Sequence, residues 1–135
     1  MTKALKTPLR YPGGKSRALS KLFQFIPNLS QYEEYREPFL GGGSVAIEIG
    51  KRYPHLQIWV NDLYEPLYNF WCELQHNGEK LQKELEDIKS VYCNPDSARC
   101  LFQSMKDVIN DKEKSEFDRA VAFYIVNKCS FSGLT

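Results

Sequence analysis

The sequence predicts an α/β fold in which one parallel βαβ unit is followed by helices alone. Two observations carry this expectation. Between residues 34 and 63 a short strand-like segment, a glycine cluster, a helix-like segment and an alternating β-branched segment follow one another. A crossover of that length favours parallel pairing of the two strands. From Glu65 onward the apolar residues recur at helical spacing and no further convincing strand pattern appears.

Taken in order, Leu19, Leu22, Phe23 and Ile26 have helical spacing and Pro27 ends the run, which predicts one short amphipathic helix. EYREPF reads as the first strand. LGGGSVAIEIGKRYP is a glycine turn and then a helix stopped by Gly50 or Pro54. LQIWVNDL alternates apolar and polar residues and reads as the second strand, ending at Asn61-Asp62. PLYNFWCELQHNG is apolar on one face and closes at Gly78, and EKLQKELEDIKSVYC is a strong helix former. Asn94-Pro95-Asp96 supplies a cap, a first-turn proline and a first-turn acid for the helix SARCLFQSMKDVIND. A last helix, EKSEFDRAVAFYIVNK, runs into CSFSGLT.

A chain of 135 residues, 42% hydrophobic and 26% charged, fits one ordinary globular domain or part of a larger one. It has no long apolar run for a membrane span and no apolar signal core, so a cytoplasmic protein is expected. Cys72, Cys93, Cys100 and Cys129 lie 21, 7 and 29 residues apart, which is neither zinc nor redox spacing, and predicts reduced, buried thiols and no metal. The net charge of +1 hides a polarity. Residues 1–32 carry Lys3, Lys6, Arg10, Lys15, Arg17 and Lys21 with no acid, whereas residues 73–118 carry eleven acids against seven bases. Positive charge gathered near the ends suits a polyanion, and equally a solvated face.

Gly14-Lys15-Ser16 invites comparison with a phosphate loop. Such a loop needs a glycine five residues before the second one, and that position is Leu9. A buried strand should precede it, and none does. Pro12-Gly13-Gly14 as a surface turn launching a helix is the plainer alternative.

The glycine cluster says more. Gly41, Gly43 and Ala46 fit a G-x-G-x-x-A pattern, and Asp62 lies 21 residues beyond Gly41 at the end of the second strand. A glycine turn there lets a ligand approach the backbone, and a carboxylate at the next strand end can accept both hydroxyls of a ribose. The combination favours an adenosine-containing ligand over a purely structural turn. Between nicotinamide cofactors and S-adenosylmethionine, Glu37 tilts the choice: it would repel a pyrophosphate and hold a methionine ammonium.

Tyr11 with Gly13-Gly14-Lys15, then Glu37-Pro38-Phe39-x-Gly41-Gly42-Gly43-Ser44, then Asn61-Asp62-Leu63, and finally RAVAFYIVNKCSFSGL resemble, in order, the motifs of the Dam-like, D12 class adenine-specific DNA methyltransferases. The resemblance spans essentially the whole chain. It implies a Rossmann-like S-adenosylmethionine-dependent fold, with residues 1–65 as the N-terminal half of the cofactor domain and 66–135 as an incomplete helical DNA-recognition region. Tyr11 would pack on the cofactor, Lys15 would meet its carboxylate, Phe39 would lie against it, and Glu37, Gly41, Gly43 and Asp62 would complete the cofactor set. The structural alternative is that Tyr11 and Phe39 are ordinary core aromatics. Lys128 would contact phosphate of double-stranded DNA, and Phe131 and Ser132 would approach bases. The family often has asparagine at the position of Ser132, which is too short for a bidentate contact with adenine.

The same resemblance implies an Asp-Pro-Pro-Tyr tetrapeptide to grip a flipped adenine. None exists in the 135 residues; Asn94-Pro95-Asp96-Ser97 lacks the second proline and the aromatic. The expectation is therefore an N-terminal portion of a methyltransferase, truncated in its sheet and inactive by itself, with self-association or partial disorder from an unpaired strand edge. A non-catalytic DNA- or S-adenosylmethionine-binding remnant and, less favoured, a nicotinamide-binding oxidoreductase are the competing readings.

Overall fold

The computed structural model describes residues 5–130 and Gly133. The chain divides into two compact units, Met1–Leu63 and Tyr64–Thr135.

In the first unit a 3-10 turn at Lys15–Arg17 leads into α1 (Leu19–Leu22), followed by β1 (Glu34–Glu37), α2 (Ser44–Arg52) and β2 (Gln57–Val60). The strands are parallel, with Glu34 opposite Gln57 and Glu37 opposite Val60. The expected parallel pair is present, and it is short. Pro38 has no N–H to continue the ladder on β1. Backbone pairing nevertheless carries past the strand ends, because Asn61 N–H donates to the Glu37 carbonyl at 3.0 Å and Leu40 N–H to the Asn61 carbonyl at 2.9 Å. That extra step holds the glycine turn alongside the tip of β2. Ile49 of α2 is fully buried, and Leu9, Leu40, Ala46 and Leu56 of the same unit are buried as well.

α1 is a correction to the expected helix. Leu19, Leu22, Phe23 and Ile26 do face inward, but each is only half-buried, and the helix stops after four residues. So little burial cannot offset the cost of helix nucleation over a longer stretch. The Arg52 guanidinium, 4.0 Å above the Phe23 ring, covers part of that face.

Among its described residues the second unit has helices and no strand: α3 (Glu65–Val91), α4 (Pro95–Val108) and α5 (Glu116–Cys129). Where two helices parted at Gly78 are expected, α3 runs as one element broken at Asn77, whose φ of −128° and ψ of 28° lie outside the helix. The Asn77 side chain donates to Glu73 Oε2 at 2.7 Å, and Gly78 follows, so the chain bends without leaving the helix path. α4 starts as its sequence requires, with Asn94 Oδ1 accepting the Ser97 N–H at 2.9 Å. Ser115 Oγ does the same for Asp118 at the start of α5.

α5 is the centre of this unit. Ala120, Val121, Ala122, Phe123, Ile125 and Val126 are all buried, a helix apolar on most of its circumference and therefore enclosed. Phe70 of α3 stacks on Tyr124, with ring centroids 5.8 Å apart. One charge enters this core. Arg119 is buried, donates from Nε to the Ile109 carbonyl at 3.0 Å and from a terminal nitrogen to Glu65 Oε1 at 2.8 Å. Lys112 also binds the Glu65 carboxylate. These two cations hold Glu65 at a pKa of about 2, with the Arg119 hydrogen bond the larger cause.

The cysteines correct another expectation. All four are free, but Cys93, Cys100 and Cys129 are exposed and only Cys72 is half-buried. Cys93 sits in the turn before α4, Cys100 on the solvent side of α4 and Cys129 on the last turn of α5, positions that sequence spacing does not reveal. No helix among the described residues is long and apolar enough to span a membrane.

Candidate functional site

A cleft of about 270 Å³ opens on the first unit where the N-terminal turn, the end of β1, the start of α2 and the tip of β2 converge. Tyr11, Lys15, Glu37, Phe39, Gly41, Gly43 and Asp62, the seven residues singled out from the sequence for a cofactor, all line it. Gly14, Ser44 and Val45 line it as well, which the sequence pattern did not distinguish from their neighbours.

Each wall has a local cause. Pro12-Gly13 forms a turn in which Gly14 N–H donates to the Tyr11 carbonyl at 2.8 Å, with Gly13 at φ +71°, the type II pattern for a Pro-Gly pair. The turn sends the chain back on itself and puts Tyr11 against the glycine cluster. A Cβ added at Gly41 would stand 2.9 Å from Tyr11 Cε1, so only glycine admits the ring there. Gly41 also has φ +53°, a conformation a side chain resists. Ser16 Oγ and Ser44 Oγ lie 2.7 Å apart and fasten the N-terminal turn to the first residue of α2.

Asp62 reaches across from β2. Its Oδ2 accepts the Gly41 N–H at 2.8 Å, so the carboxylate and the glycine turn are one hydrogen-bonded unit. Glu37, at the end of β1, is half-buried in the cleft wall. The N-cap of α2 is Gly43, which has no side chain to offer, and the Glu37 carboxylate instead takes a hydrogen bond from the Ala46 backbone in the helix's first turn. Tyr35 Oη donates to Glu37 Oε2 at 3.2 Å. Burial pushes the Glu37 carboxyl above the ordinary range, against the Tyr35 hydrogen bond and the Lys15 ammonium, which act the other way. The Tyr35 hydroxyl is pushed up to about 12, by burial first and then by the neighbouring Glu37 charge.

Neither aromatic is a core residue. Phe39 is 80% exposed and Tyr11 38% exposed, so both line the cleft from the surface, with no internal packing reason for Phe39 to be aromatic. The remaining site residues fall elsewhere. Lys128 lies on the last turn of α5, its Nζ 5.3 Å from the Tyr124 ring centroid, and Phe131 and Ser132 lie outside the described residues. No cluster of His, Cys, Asp and Glu suited to a metal occurs among the described residues.

The chain is 25% identical to the Type II methyltransferase M.MjaIII of Methanocaldococcus jannaschii, over 96% of its own length and 47% of that protein's. It is 26% identical to the DNA N-6-adenine-methyltransferase of Escherichia phage P1, over 93% of its own length and 15% of the other. It is 28% identical to the Type II methyltransferase M1.LlaDCHI of Lactococcus lactis subsp. cremoris, over 93% and 41%. The chain thus spans about half the length of these relatives or less. Residues 11–135 match the family defined as D12 class N6 adenine-specific DNA methyltransferase, and the chain belongs to that family.

Proposed function

We propose that the cleft binds S-adenosylmethionine and that the chain supplies the donor-binding part of an enzyme that methylates N6 of adenine in DNA. The observation that carries this is the charge pattern of the cleft. A half-buried carboxylate, Glu37, and an ammonium near enough to act on it, Lys15, line one cleft together with two exposed aromatics, Tyr11 and Phe39, and with Asp62. An amino acid zwitterion is the complement of the first pair, a ribose diol of the aspartate, and an adenine of the aromatics. The site fits the donor, and a Rossmann-like arrangement of the sheet is the corresponding reading of the fold. When bound, this donor supplies an electrophilic methyl group on a sulfonium.

The residues have distinct tasks in this reading. Asp62, held by Gly41, orients hydroxyls. Glu37 and Lys15 fix the two ends of the zwitterion. Tyr11 and Phe39 cover the base and keep water off it. The helical unit, with Lys128, Phe131 and Ser132 near its end, is assigned to double-stranded DNA. No Asp-Pro-Pro-Tyr tetrapeptide is present in the 135 residues, so the chain as it stands is proposed to bind without transferring methyl. Detection of N6-methyladenine in duplex DNA incubated with the purified chain and the donor would refute that part.

Calorimetric titration tests the central proposal. Saturable binding of S-adenosylmethionine, lost in Asp62→Ala and absent for NAD, is the expected result; NAD binding with none for S-adenosylmethionine overturns it.

A further inference from the structure

We propose that a second cavity on the first unit, lined by Lys6, Arg17 and Lys51, binds the phosphodiester backbone of DNA; this deepens the methyltransferase reading and rests on it. The cavity encloses about 490 Å³ between the N-terminal segment, the 3-10 turn and the outer side of α2. Its three cations face one acid, Glu48.

That acid is already engaged. Glu48 Oε1 accepts Arg52 Nε at 2.8 Å, and this bond is the main reason its carboxyl is held below the ordinary range. Its contact with Lys51 is longer, at 3.5 Å. Among the described residues, Lys6 and Arg17 make no ion pair. Three cations gathered round one cavity with a single, largely neutralised acid repel one another, and an anion between them removes that repulsion. The same segment, residues 1–32, contains six bases and no acid.

Position selects the anion. Ser44 lines both this cavity and the cleft, so the two adjoin at the first residue of α2, where Ser16 of the cavity wall meets it by a hydrogen bond. A free phosphate has no reason to lie beside a methyl donor. A DNA strand does, because its base must be brought to the methyl group while its backbone is held nearby.

The test is the salt dependence of duplex binding, followed by fluorescence anisotropy with a labelled DNA duplex. Each phosphate contact contributes about 0.9 to the slope of log K against log salt concentration, so the triple variant Lys6→Gln/Arg17→Gln/Lys51→Gln should flatten the slope by about 2.7. Arg17→Gln alone should flatten it by about 0.9, and Lys21→Gln, which lies outside the cavity, should leave it unchanged. All these sites are on the surface, and an unaltered thermal midpoint verifies that the variants fold. An unchanged slope in the triple variant, with the wild-type chain binding duplex, overturns this site alone. Calorimetric binding of inorganic phosphate lost in the triple variant, without a change in duplex slope, assigns the cavity to a free anion and also overturns it. A wild-type chain that does not bind duplex at all overturns the DNA reading, and this site with it.

Discussion

Asp62 holds Gly41 by a 2.8 Å hydrogen bond from the glycine N–H to Oδ2, across 21 residues of sequence. The carboxylate therefore shapes the glycine turn while also facing the cleft. Asp62→Asn keeps an acceptor for Gly41 and removes the charge; Asp62→Ala removes both. In the S-adenosylmethionine reading, each lost charge-assisted hydrogen bond is worth about 1.5–3 kcal/mol, so Asp62→Asn should weaken donor binding by roughly 10- to 100-fold with little change in thermal midpoint. Asp62→Ala should lower both. Calorimetry and thermal unfolding separate the two effects.

Gly41→Ala meets two obstacles, a φ of +53° and the Tyr11 ring 2.9 Å from the new Cβ. We expect a loss of about 1–3 kcal/mol in stability from the backbone strain, with the steric clash in addition. Tyr11→Ala removes the clash and leaves the strain. The double variant should accordingly be more stable than the sum of the two single losses predicts, a coupling that denaturant unfolding of the four proteins measures.

Glu37 makes two opposite pH predictions. Because burial raises its pKa in the folded chain, its protonated form is favoured by folding; that stabilising contribution is present below the ordinary carboxylate range and is lost as pH rises through the raised value. Binding of an ammonium runs the other way, since it needs the ionised carboxylate. Affinity for S-adenosylmethionine should thus fall on acidification, starting at a higher pH than an ordinary glutamate would give. Glu37→Gln should flatten that pH dependence and weaken binding at neutral pH.

Glu65 has the reverse sign. Its carboxyl is lowered from 4.5 to about 2 by Arg119 and Lys112, so its contribution is full above the unfolded value and is lost as pH falls from 4.5 through about 2. The carboxylate is more than half exposed, and salt should diminish the effect. Glu65→Gln should flatten the stability profile in that window. Arg119→Met is the harsher change, because it strips the buried Ile109 carbonyl of its donor, at a cost of about 1–3 kcal/mol measurable by denaturant unfolding at neutral pH.

How much of this was legible beforehand depends on the range of the interaction. The parallel strands, the Asn94 cap and the position of Asp62 at a strand tip follow from periodicity and from residues a few places apart. The expected faces of α1 were right and its length was not, because length depends on how deeply Leu19, Leu22, Phe23 and Ile26 can be buried by other elements. Three exposed cysteines escaped for the same reason. In the cleft, the residue types were readable from the motifs, whereas their couplings were not. Nothing local says that Glu37 would serve the first turn of α2, that Ser16 would meet Ser44, or that Tyr11 would rest on Gly41. Those depend on the register Glu37 opposite Val60 and on the direction of the Pro12-Gly13 turn.

The interruption of α3 at Asn77 divides one helix into a sheltered half and a weathered one. Before it, Leu67, Asn69 and Phe70 are enclosed; after it, Leu81 is the one enclosed residue among those described. Deuterium should enter the amides of residues 79–91 well before those of 66–76, read peptide by peptide in mass spectrometry. The outer segment can then fray and re-form while the α5 core stays shut.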